Sequence, residues 1–449
     1  MLARTTLRPP GPAEIPLLGS AISFARDPIA FLERTARTYG DFAYFRLGGV
    51  DVFFANHPDL VKEVLLTQRQ NFTLSPLRER LRPVIGNGLF ASGGQLHAIQ
   101  RRLMQPVFRK SRIESYAEVM AAFARRARER WTPGAVIDSS EEMMQLTMLV
   151  ASIALFGHDI EDDADAVSKN MTFLLEHFTR LFSPFFSFML KLPLPSTLRV
   201  RATVRDLDAV IYRMIERRRS NPGAVDDLLT RLMQAKDDET QTQMTERQLR
   251  DELLTLLIAG HETTANLLCW TLFLLAQAPD KDALVHAEAR AVLDGRPGFT
   301  AADADRLPYL RKVIMEGLRL YPPGWFIGRR ALADVRLAGY DVPKDSVVML
   351  CQYVMQRDGR FYDAPSEFRP ERWTEQFEKA LPRGAFFPFS AGDRHCIGEG
   401  FAWQEALLIL ATLLERWRLE LVPGQRISPR PSVTLRPSTG IRMIVRSRR

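Results

Sequence analysis

Two short stretches hold residues whose types and spacing could do chemistry. The first is Phe389-Ser390-Ala391-Gly392-Asp393-Arg394-His395-Cys396-Ile397-Gly398, followed by the apolar run from Phe401 to Trp417, which reads as a buried helix. Cys396 therefore stands at a helix start, where backbone N–H groups without an intrahelical partner, together with the helix dipole, favour an anion. A thiol there ionises more readily than a free cysteine, and a thiolate is a soft metal ligand. Gly392 and Gly398 flank the sulfur where a side chain would keep a flat ligand off the backbone, and Arg394 adds a cation two residues away. A flat, anionic, metal-bearing cofactor suits this pattern. The bland alternative is a buried structural cysteine in a Gly-containing turn.

The second stretch is Ala259-Gly260-His261-Glu262-Thr263-Thr264, in the middle of an otherwise apolar helical pattern. Thr245-Glu246-Arg247-Gln248 is a capping box, and from there to Gln277, just before Ala278-Pro279, only Gly260 interrupts the helix. At 1.5 Å per residue the helix spans roughly 50 Å, and it is apolar nearly all round, hence buried. Glycine there costs about 1 kcal/mol against alanine, and an unpaired acid costs more. A polar run in such a place points to a site. The alternative is a satisfied polar kink in which Thr263 bonds back to a carbonyl one turn earlier.

The elements that must position these residues follow from patterning. The 449 residues show no Ser/Gly linker, charge block or internal repeat, and 46% are hydrophobic, which predicts one large, mostly helical unit with a smaller strand-containing lobe. Pro28 to Tyr39 reads as a helix, and Phe42 to Leu47 with Val50 to Ala55 as a β-hairpin turning at Gly48-Gly49. His57-Pro58 opens a helix through Leu66, and Asn71 to Gly94 reads as a long irregular loop. His97 and Arg101 are four apart, on one helix face, where two donors could grip one carboxylate. Helical patterns continue from Ile113 to Trp131 and from Ser139 to Leu155. Between Phe173 and Pro195 a Phe-rich stretch that includes Phe182 is broken by prolines, so part of it forms a loop, read either as core or as an apolar lid. From Arg416 to Arg449 the pattern suits short strands.

Composition excludes several classes. Three cysteines, Cys269, Cys351 and Cys396, without C-x-x-C or zinc spacing, argue for a reducing compartment and no disulfide framework, with Cys269 a core residue. The proline-rich start, Met1 to Gly19, holds no signal peptide and no membrane-spanning run, so the expectation is a soluble, cytoplasmic protein without a transmembrane anchor. The net charge of +8 gathers in Arg101, Arg102, Arg109, Lys110 and Arg112, and in Arg125, Arg126, Arg128 and Arg130. No nucleic-acid motif accompanies them, so an acidic protein partner or ordinary solvated helix faces account for the excess.

The pattern Phe-x-x-Gly-x-Arg-x-Cys-x-Gly, matched at every fixed position, closely resembles the haem-binding loop of the cytochrome P450 family. The run at 259–264 resembles the Ala/Gly-Gly-x-Asp/Glu-Thr-Thr signature of that family's central helix. Glu316-Gly317-Leu318-Arg319 and Phe368-Arg369-Pro370-Glu371-Arg372-Trp373 follow in family order, with Trp373 where Phe is more frequent. The resemblance implies a mainly α fold with small β-sheets and a long central helix over a buried haem. It also implies a single domain over 1–449, with a β-containing lobe from N-terminal strands and C-terminal segments and a helical lobe over about 90–420.

By the same resemblance Cys396 is the metal ligand to haem b (iron protoporphyrin IX), and His97, Arg101, Arg329, Arg394, Phe389, Gly398 and Gly260 surround the cofactor. Arg329 fits better than Arg330 by its distance from Asp334. Thr263 and Glu262 form the catalytic pair, the alcohol bonding dioxygen and the acid relaying protons, while Glu316, Arg319 and Arg372 form a structural charge triad. His395 is expected to be exposed or partner-facing. Leu257, Ala259, Trp325, Phe326 and Phe182 are expected to wall a pocket for a lipophilic guest: a fatty acid, terpenoid or steroid. The implied function is a monooxygenase that inserts one oxygen atom from O2 by hydroxylation or epoxidation. Because the sequence ends without a flavin or ferredoxin module, electrons are expected from a ferredoxin or flavodoxin with its reductase, and the enzyme is expected to be a monomer that does not bind nucleic acid. A haem-thiolate peroxygenase or isomerase, and a non-catalytic haem sensor, are the rival readings; Glu262 and Thr263 argue against the former.

Overall fold

The computed structural model describes residues 7–157, 163–177, 192–221, 227–237 and 239–448. They divide into two compact units, one built from residues 7–81 and 318–396, the other from the described residues of 82–317 and from 397–448. The Phe-rich run is described only as far as residue 177, so Phe182 lies outside the described residues.

The first unit is organised on a five-stranded sheet. Helix α1 (Pro28–Tyr39) leads in, with Asp27 accepting a hydrogen bond from the Ala30 N–H at 2.9 Å, Pro28 in its first turn and Gly40 ending it at φ 80°. Strands β1 (Phe42–Leu47) and β2 (Val50–Ala55) pair antiparallel through the Gly48-Gly49 turn. They are joined by β3 (Phe72–Leu74), β5 (Ile327–Ala331) and β6 (Val347–Leu350) in the order β1-β2-β6-β5-β3, with β2 and β6 parallel. Phe53, Ala55, Val348 and Leu350 in the middle of the sheet are almost wholly buried, as near-continuous apolar strands require.

The expected loop from Asn71 to Gly94 is more ordered than its turn residues suggest. Phe72 and Leu74 pair with Ala331 and Arg329 of β5, and helical turns follow at Pro76–Glu79 and Arg82–Ile85. A three-residue edge strand depends on a partner some 250 residues away, which local patterning does not show. The helix opened by Pro58 is α-helical only through Lys62 and widens to a π turn over Glu63–Thr67.

Behind the sheet, the chain from 356 to 387 has little regular structure, and side chains satisfy its carbonyls. Arg319, fully buried, donates to the carbonyls of Gln356 (2.8 Å), Pro365 (2.6 Å) and Glu367 (3.0 Å). Arg372 donates to those of Asp363 (2.7 Å) and Ala364 (3.2 Å), and the Tyr362 hydroxyl to that of Ala385 (3.1 Å). Buried irregular backbone needs such partners, and guanidiniums supply several from one residue.

The second unit is helical. It includes α2 (Gly94–Met104), α3 (Ala117–Arg130), α4 (Ser139–Phe156), α5 (Ala164–His177), α6 (Pro195–Ser220), the 31-residue α7 (Glu246–Ala276), α8 (Pro279–Leu293) and α10 (Glu399–Arg416). Helix α9 (Pro308–Leu320) crosses the boundary between the two sets of residues. Thr245 caps α7 with the expected box: its hydroxyl accepts from the Gln248 N–H at 3.2 Å, while the Gln248 side chain accepts from the Thr245 N–H at 2.8 Å. Helix α7 runs for about 45 Å and is buried along most of its length against α4. A three-stranded sheet, β4 (Val136–Asp138), β10 (Arg442–Ser447) and β7 (Trp417–Leu421) in the order β4-β10-β7, and a hairpin, β8 (Pro429–Pro431) with β9 (Leu435–Pro437), complete the unit. Among the described residues no helix is long and apolar enough to cross a membrane.

Two buried carboxyls stand out in this unit. Glu252 of α7 accepts from the Leu89 N–H at 2.8 Å while its neighbour Asp251 accepts from the Asn87 N–H at 2.8 Å, so the segment before α2 is pinned to the helix. Glu405 of α10 is fully buried, and burial pushes it up to about 8. A carboxyl raised in this way stays protonated in the folded protein from about pH 5 to about pH 8, where the unfolded chain has lost the proton, so stability falls as pH rises through that window. Glu405→Gln, neutral at every pH, is expected to make denaturant-unfolding stability less steep between pH 5 and 8 and to raise it at pH 8. An unchanged slope would show that Glu405 is not protonated in the folded state.

Candidate active site

In the first unit, the loop carrying Cys396 is held by its own backbone. The Cys396 N–H donates to the Phe389 carbonyl at 2.9 Å and the His395 N–H to the Gly392 carbonyl at 3.0 Å. Ser390 and Gly392 take φ values of 64° and 68°. A Cβ on Gly392 would lie 2.1 Å from the Leu65 carbonyl oxygen, so this glycine is required by a close backbone approach within the chain itself. That differs from the expectation that Gly392 keeps the backbone clear for a flat ligand. At the loop's exposed edge Asp393 pairs with Arg69 at 3.0 Å. His395 is half-buried with both ring nitrogens shielded from solvent, not exposed as expected.

The three thiols are not equivalent. Cys269 is buried beside the Ser140 and Ser139 hydroxyls (3.1 and 3.6 Å) and burial pushes it up to about 11, which makes it a core residue. Cys351 donates to the Trp325 carbonyl at 3.3 Å and is pushed up to about 12 by burial. Cys396 alone of the three is exposed, and so is the one able to present a thiolate to a ligand.

The same unit gathers cations. Arg329 is buried, with its Nη1 donating to the Gly328 carbonyl at 3.2 Å, and burial lowers its pKa well below the ordinary arginine value. The charges acting on it are Arg78 and Arg394, both positive, and they lower it further. Arg78, not singled out from the sequence, is itself pushed down to about 10 by burial. Arg330, next to Arg329 in sequence, leaves from the opposite side of β5 and pairs with Glu79 at 3.1 Å, in line with strand alternation. Arg78 and Arg394 together act on the buried Arg329, so the set would stabilise a bound anion. That set, with an exposed thiol on the loop that carries Arg394, fits a dicarboxylate porphyrin whose iron takes sulfur. Trp325 is fully buried with its ring 4.4 Å from that of half-buried Phe326.

In the second unit, α7 has one open strip. Ala259 is exposed and Leu256, Gly260 and Thr263 are half-buried, whereas Leu257, His261, Glu262 and Thr264 are buried. A Cβ on Gly260 would meet only the Ala151 Cβ, at 3.9 Å, so packing does not require a glycine there. Hydroxyls and ring nitrogens bond back along the helix: Thr263 donates to the Ala259 carbonyl (2.6 Å), Thr264 donates to that of Gly260 (3.2 Å), and His261 Nδ1 lies 2.6 Å from that of Leu257. Burial lowers the His261 pKa, which keeps the ring neutral. The Thr147 hydroxyl of α4 donates to the His261 carbonyl at 3.0 Å, an inter-helix bond in the middle of the polar run.

Glu262 does not stand alone. The Thr434 hydroxyl donates to its carboxylate at 2.5 Å and the Arg436 Nε donates to the same oxygen. These hairpin residues carry no local signature, because they matter only where the fold lays them on α7. His97, buried, and Arg101, half-buried, lie on α2 as expected. Glu316 is fully buried in this unit, while Arg319 and Arg372 of the first unit serve the carbonyls described above. Much of the basic excess is committed to acids of the same unit: Arg102 to Asp237 (2.7 Å), Lys110 to Asp305 (3.4 Å), Arg128 to Glu415 (3.2 Å) and Arg130 to Glu142 (2.9 Å).

Comparison with known proteins agrees with this chemistry. Residues 9–445 match the family model for cytochrome P450. Cyclooctatin synthase of Streptomyces melanosporofaciens is 39% identical over 427 residues, covering 94% of this chain and 92% of that one. Pentalenene oxygenase of Streptomyces avermitilis is 32% identical over 420 residues, covering 93% and 92%. Among solved structures, a retinoic acid-bound cyanobacterial P450 (CYP120A1) superposes with a TM-score of 0.87 at 26% identity, over 99% of this chain and all of that one. Matched over nearly its whole length, this chain belongs to the cytochrome P450 family and is a haem b-dependent monooxygenase that uses O2.

Proposed function

We propose that the substrate is a terpenoid, hydroxylated or epoxidised at one position. The observation that carries this reading is that proteins named cyclooctat-9-en-7-ol 5-monooxygenase and pentalenene oxygenase are similar to this chain over more than nine-tenths of its length. The apolar character of Leu257, Ala259, Trp325 and Phe326, which we assign to the pocket wall, suits a guest without charge. Phe182 belongs to the same proposed wall by sequence alone.

The residue roles belong to the same proposal. Cys396 would hold the iron as a thiolate; in its unit Arg394, Arg329 and Arg78 would pair with the propionates, and the family resemblance gives His97 and Arg101 the same role. Phe389 and Gly398 would flank the sulfur and Gly260 would leave room beside the oxygen site. The action of Arg78 and Arg394 on the buried Arg329 supports the propionate assignment, because guanidiniums make strong charge-assisted hydrogen bonds to carboxylates. When bound, haem b supplies oxygen activation, and a thiolate donates electron density that favours O–O cleavage. The protein's own part is to hold a proton donor in place. The Thr263 hydroxyl donates its one proton to the Ala259 carbonyl and keeps its lone pairs to accept a hydrogen bond from solvent or Glu262; turned away from that carbonyl it can donate a hydrogen bond onward. Glu316, Arg319 and Arg372 act as structural residues.

Electrons are proposed to come from a separate ferredoxin or flavodoxin and its reductase. The Streptomyces relatives support this, since matches to 92% of their lengths leave no room in them for a reductase. Exposed Arg109 and Lys110 offer positive charge to an acidic partner. A soluble, cytoplasmic monomer forming a single domain completes the proposal.

Two outcomes are expected. In a Soret-shift titration of purified holoenzyme, cyclic terpene alkenes and alcohols should displace iron-bound water while straight-chain fatty acids and steroids should not; a response to fatty acids alone would contradict the substrate class. Thr263→Ala should bind the same terpenes with unchanged affinity while the share of reductant released as hydrogen peroxide rises by at least about tenfold. Unchanged coupling would remove Thr263 from the proton path.

A further inference from the structure

Glu262 lies at the middle of α7, and its carboxylate is engaged by the β8–β9 hairpin. Along one stripe of the helix, three residues spaced four apart grip the same short segment. Glu262 accepts from the Thr434 hydroxyl at 2.5 Å and from Arg436; Asn266 Nδ2 donates to the Thr434 hydroxyl oxygen at 3.1 Å; Trp270 Nε1 donates to the Leu435 carbonyl at 3.0 Å. Thr434 is thereby both donor and acceptor, which fixes its hydroxyl and leaves Arg436 as the one charge paired with the acid. Within the hairpin Arg436 sits directly opposite Arg430, a like-charge pairing that is unfavourable unless one of the two is neutralised. Glu262 neutralises Arg436.

Arg436 also reaches water. Its side chain retains 21% of its exposure, whereas that of Glu262 retains 2%, and it lines a cleft of about 1150 Å³ together with Asn266, Ser432, Arg430 and Glu141. The guanidinium therefore stands between the buried carboxylate and the cleft.

We propose that Arg436 is the positioning residue for Glu262 and that the cleft it lines is where the proton carried by Glu262 enters. This rests on the reading of Glu262 as a proton carrier. Paired with Arg436 the carboxylate is held to the hairpin. When the pair parts, the carboxylate takes one proton relayed from bulk solvent through cleft water, gives it up on the Thr263 side and returns to Arg436, so charge and protons balance over the cycle. Thr434 limits the excursion by keeping one oxygen bonded. The titratable and charged neighbours of Glu262 are Arg436 from the hairpin and, on its own helix, His261, which burial keeps neutral.

The test compares Arg436→Met, Arg436→Lys, Thr434→Val and Glu262→Gln in holoenzyme with a surrogate ferredoxin, ferredoxin reductase and a terpene that shifts the Soret band. Without its cation, a buried carboxylate is expected to take up a proton. Variant-minus-parent infrared difference spectra at pH 7 should therefore show an added protonated-carboxyl band in Arg436→Met, over the Glu405 band common to both proteins, that is weak in Arg436→Lys and abolished in Arg436→Met/Glu262→Gln. In turnover, Glu262→Gln and Arg436→Met should each raise the solvent deuterium isotope effect and lower coupling by about tenfold, Arg436→Lys less so. If Glu262→Gln changes neither quantity, the proton-carrier reading fails at its base. If Glu262→Gln acts as expected but a folded Arg436→Met shows no added band and parental coupling, the positioning inference alone is overturned. Should Arg436→Met not fold, Arg436→Lys and Thr434→Val decide: both should move the isotope effect in the same direction, and parental values in both would overturn the inference.

Discussion

A sulfur that must bind one metal atom has to sit on backbone that cannot give way, and that constraint shapes the segment from Phe389 to Cys396. The loop folds onto itself through the Cys396 N–H to Phe389 carbonyl bond, turns through two left-handed residues, and closes on the Leu65 carbonyl at a point where only glycine fits. The surrounding irregular chain is made stiff by arginines that satisfy its carbonyls instead of by regular ladders. The cluster of Arg78, Arg329 and Arg394 adds an electrostatic requirement of the same kind. Arg78 and Arg394 both act on Arg329, so the set favours a bound anion.

The polar run in α7 shows the complementary principle. The polar side chains of the run at 261–264 each have at least one partner: carbonyls one turn back for Thr263, Thr264 and His261, and the hairpin for Glu262. The satisfied-kink explanation and the functional one are therefore not alternatives. Back-bonding makes the run tolerable in a buried helix, and the open strip at Ala259, Gly260 and Thr263 makes it useful. Gly260 belongs to the second explanation, since none of the described residues would collide with a methyl group there.

Much of this was legible in the sequence because it is local. The capping box at Thr245, the hairpin turning at Gly48-Gly49 and the helix from Pro28 to Tyr39 each follow from a few consecutive residues, and the structure places them at those residues. The resemblance to the family rests on motifs of the same short range. What escaped depends on distant pairing. Strand Phe72–Leu74 exists because Ile327–Ala331 lies beside it, and Arg78 joins Arg329 only through that pairing. Thr434 and Arg436 look like ordinary hairpin residues until the chain brings them to Glu262, 172 and 174 residues earlier. Of the basic runs, Arg102, Lys110, Arg128 and Arg130 pair with acids of their own unit that lie far off in sequence or in a separate element, which local charge counting does not show.

The central claim is that the sulfur of Cys396 is the protein's ligand to haem iron. Expression of Cys396→Ser beside the parent chain with ample haem, followed by reduction under carbon monoxide, tests it most directly. The account predicts a thiolate-type Soret band in the parent that is lost in the variant while the far-ultraviolet circular dichroism stays helical. The same band in both proteins, or a parent that binds no haem, would contradict it.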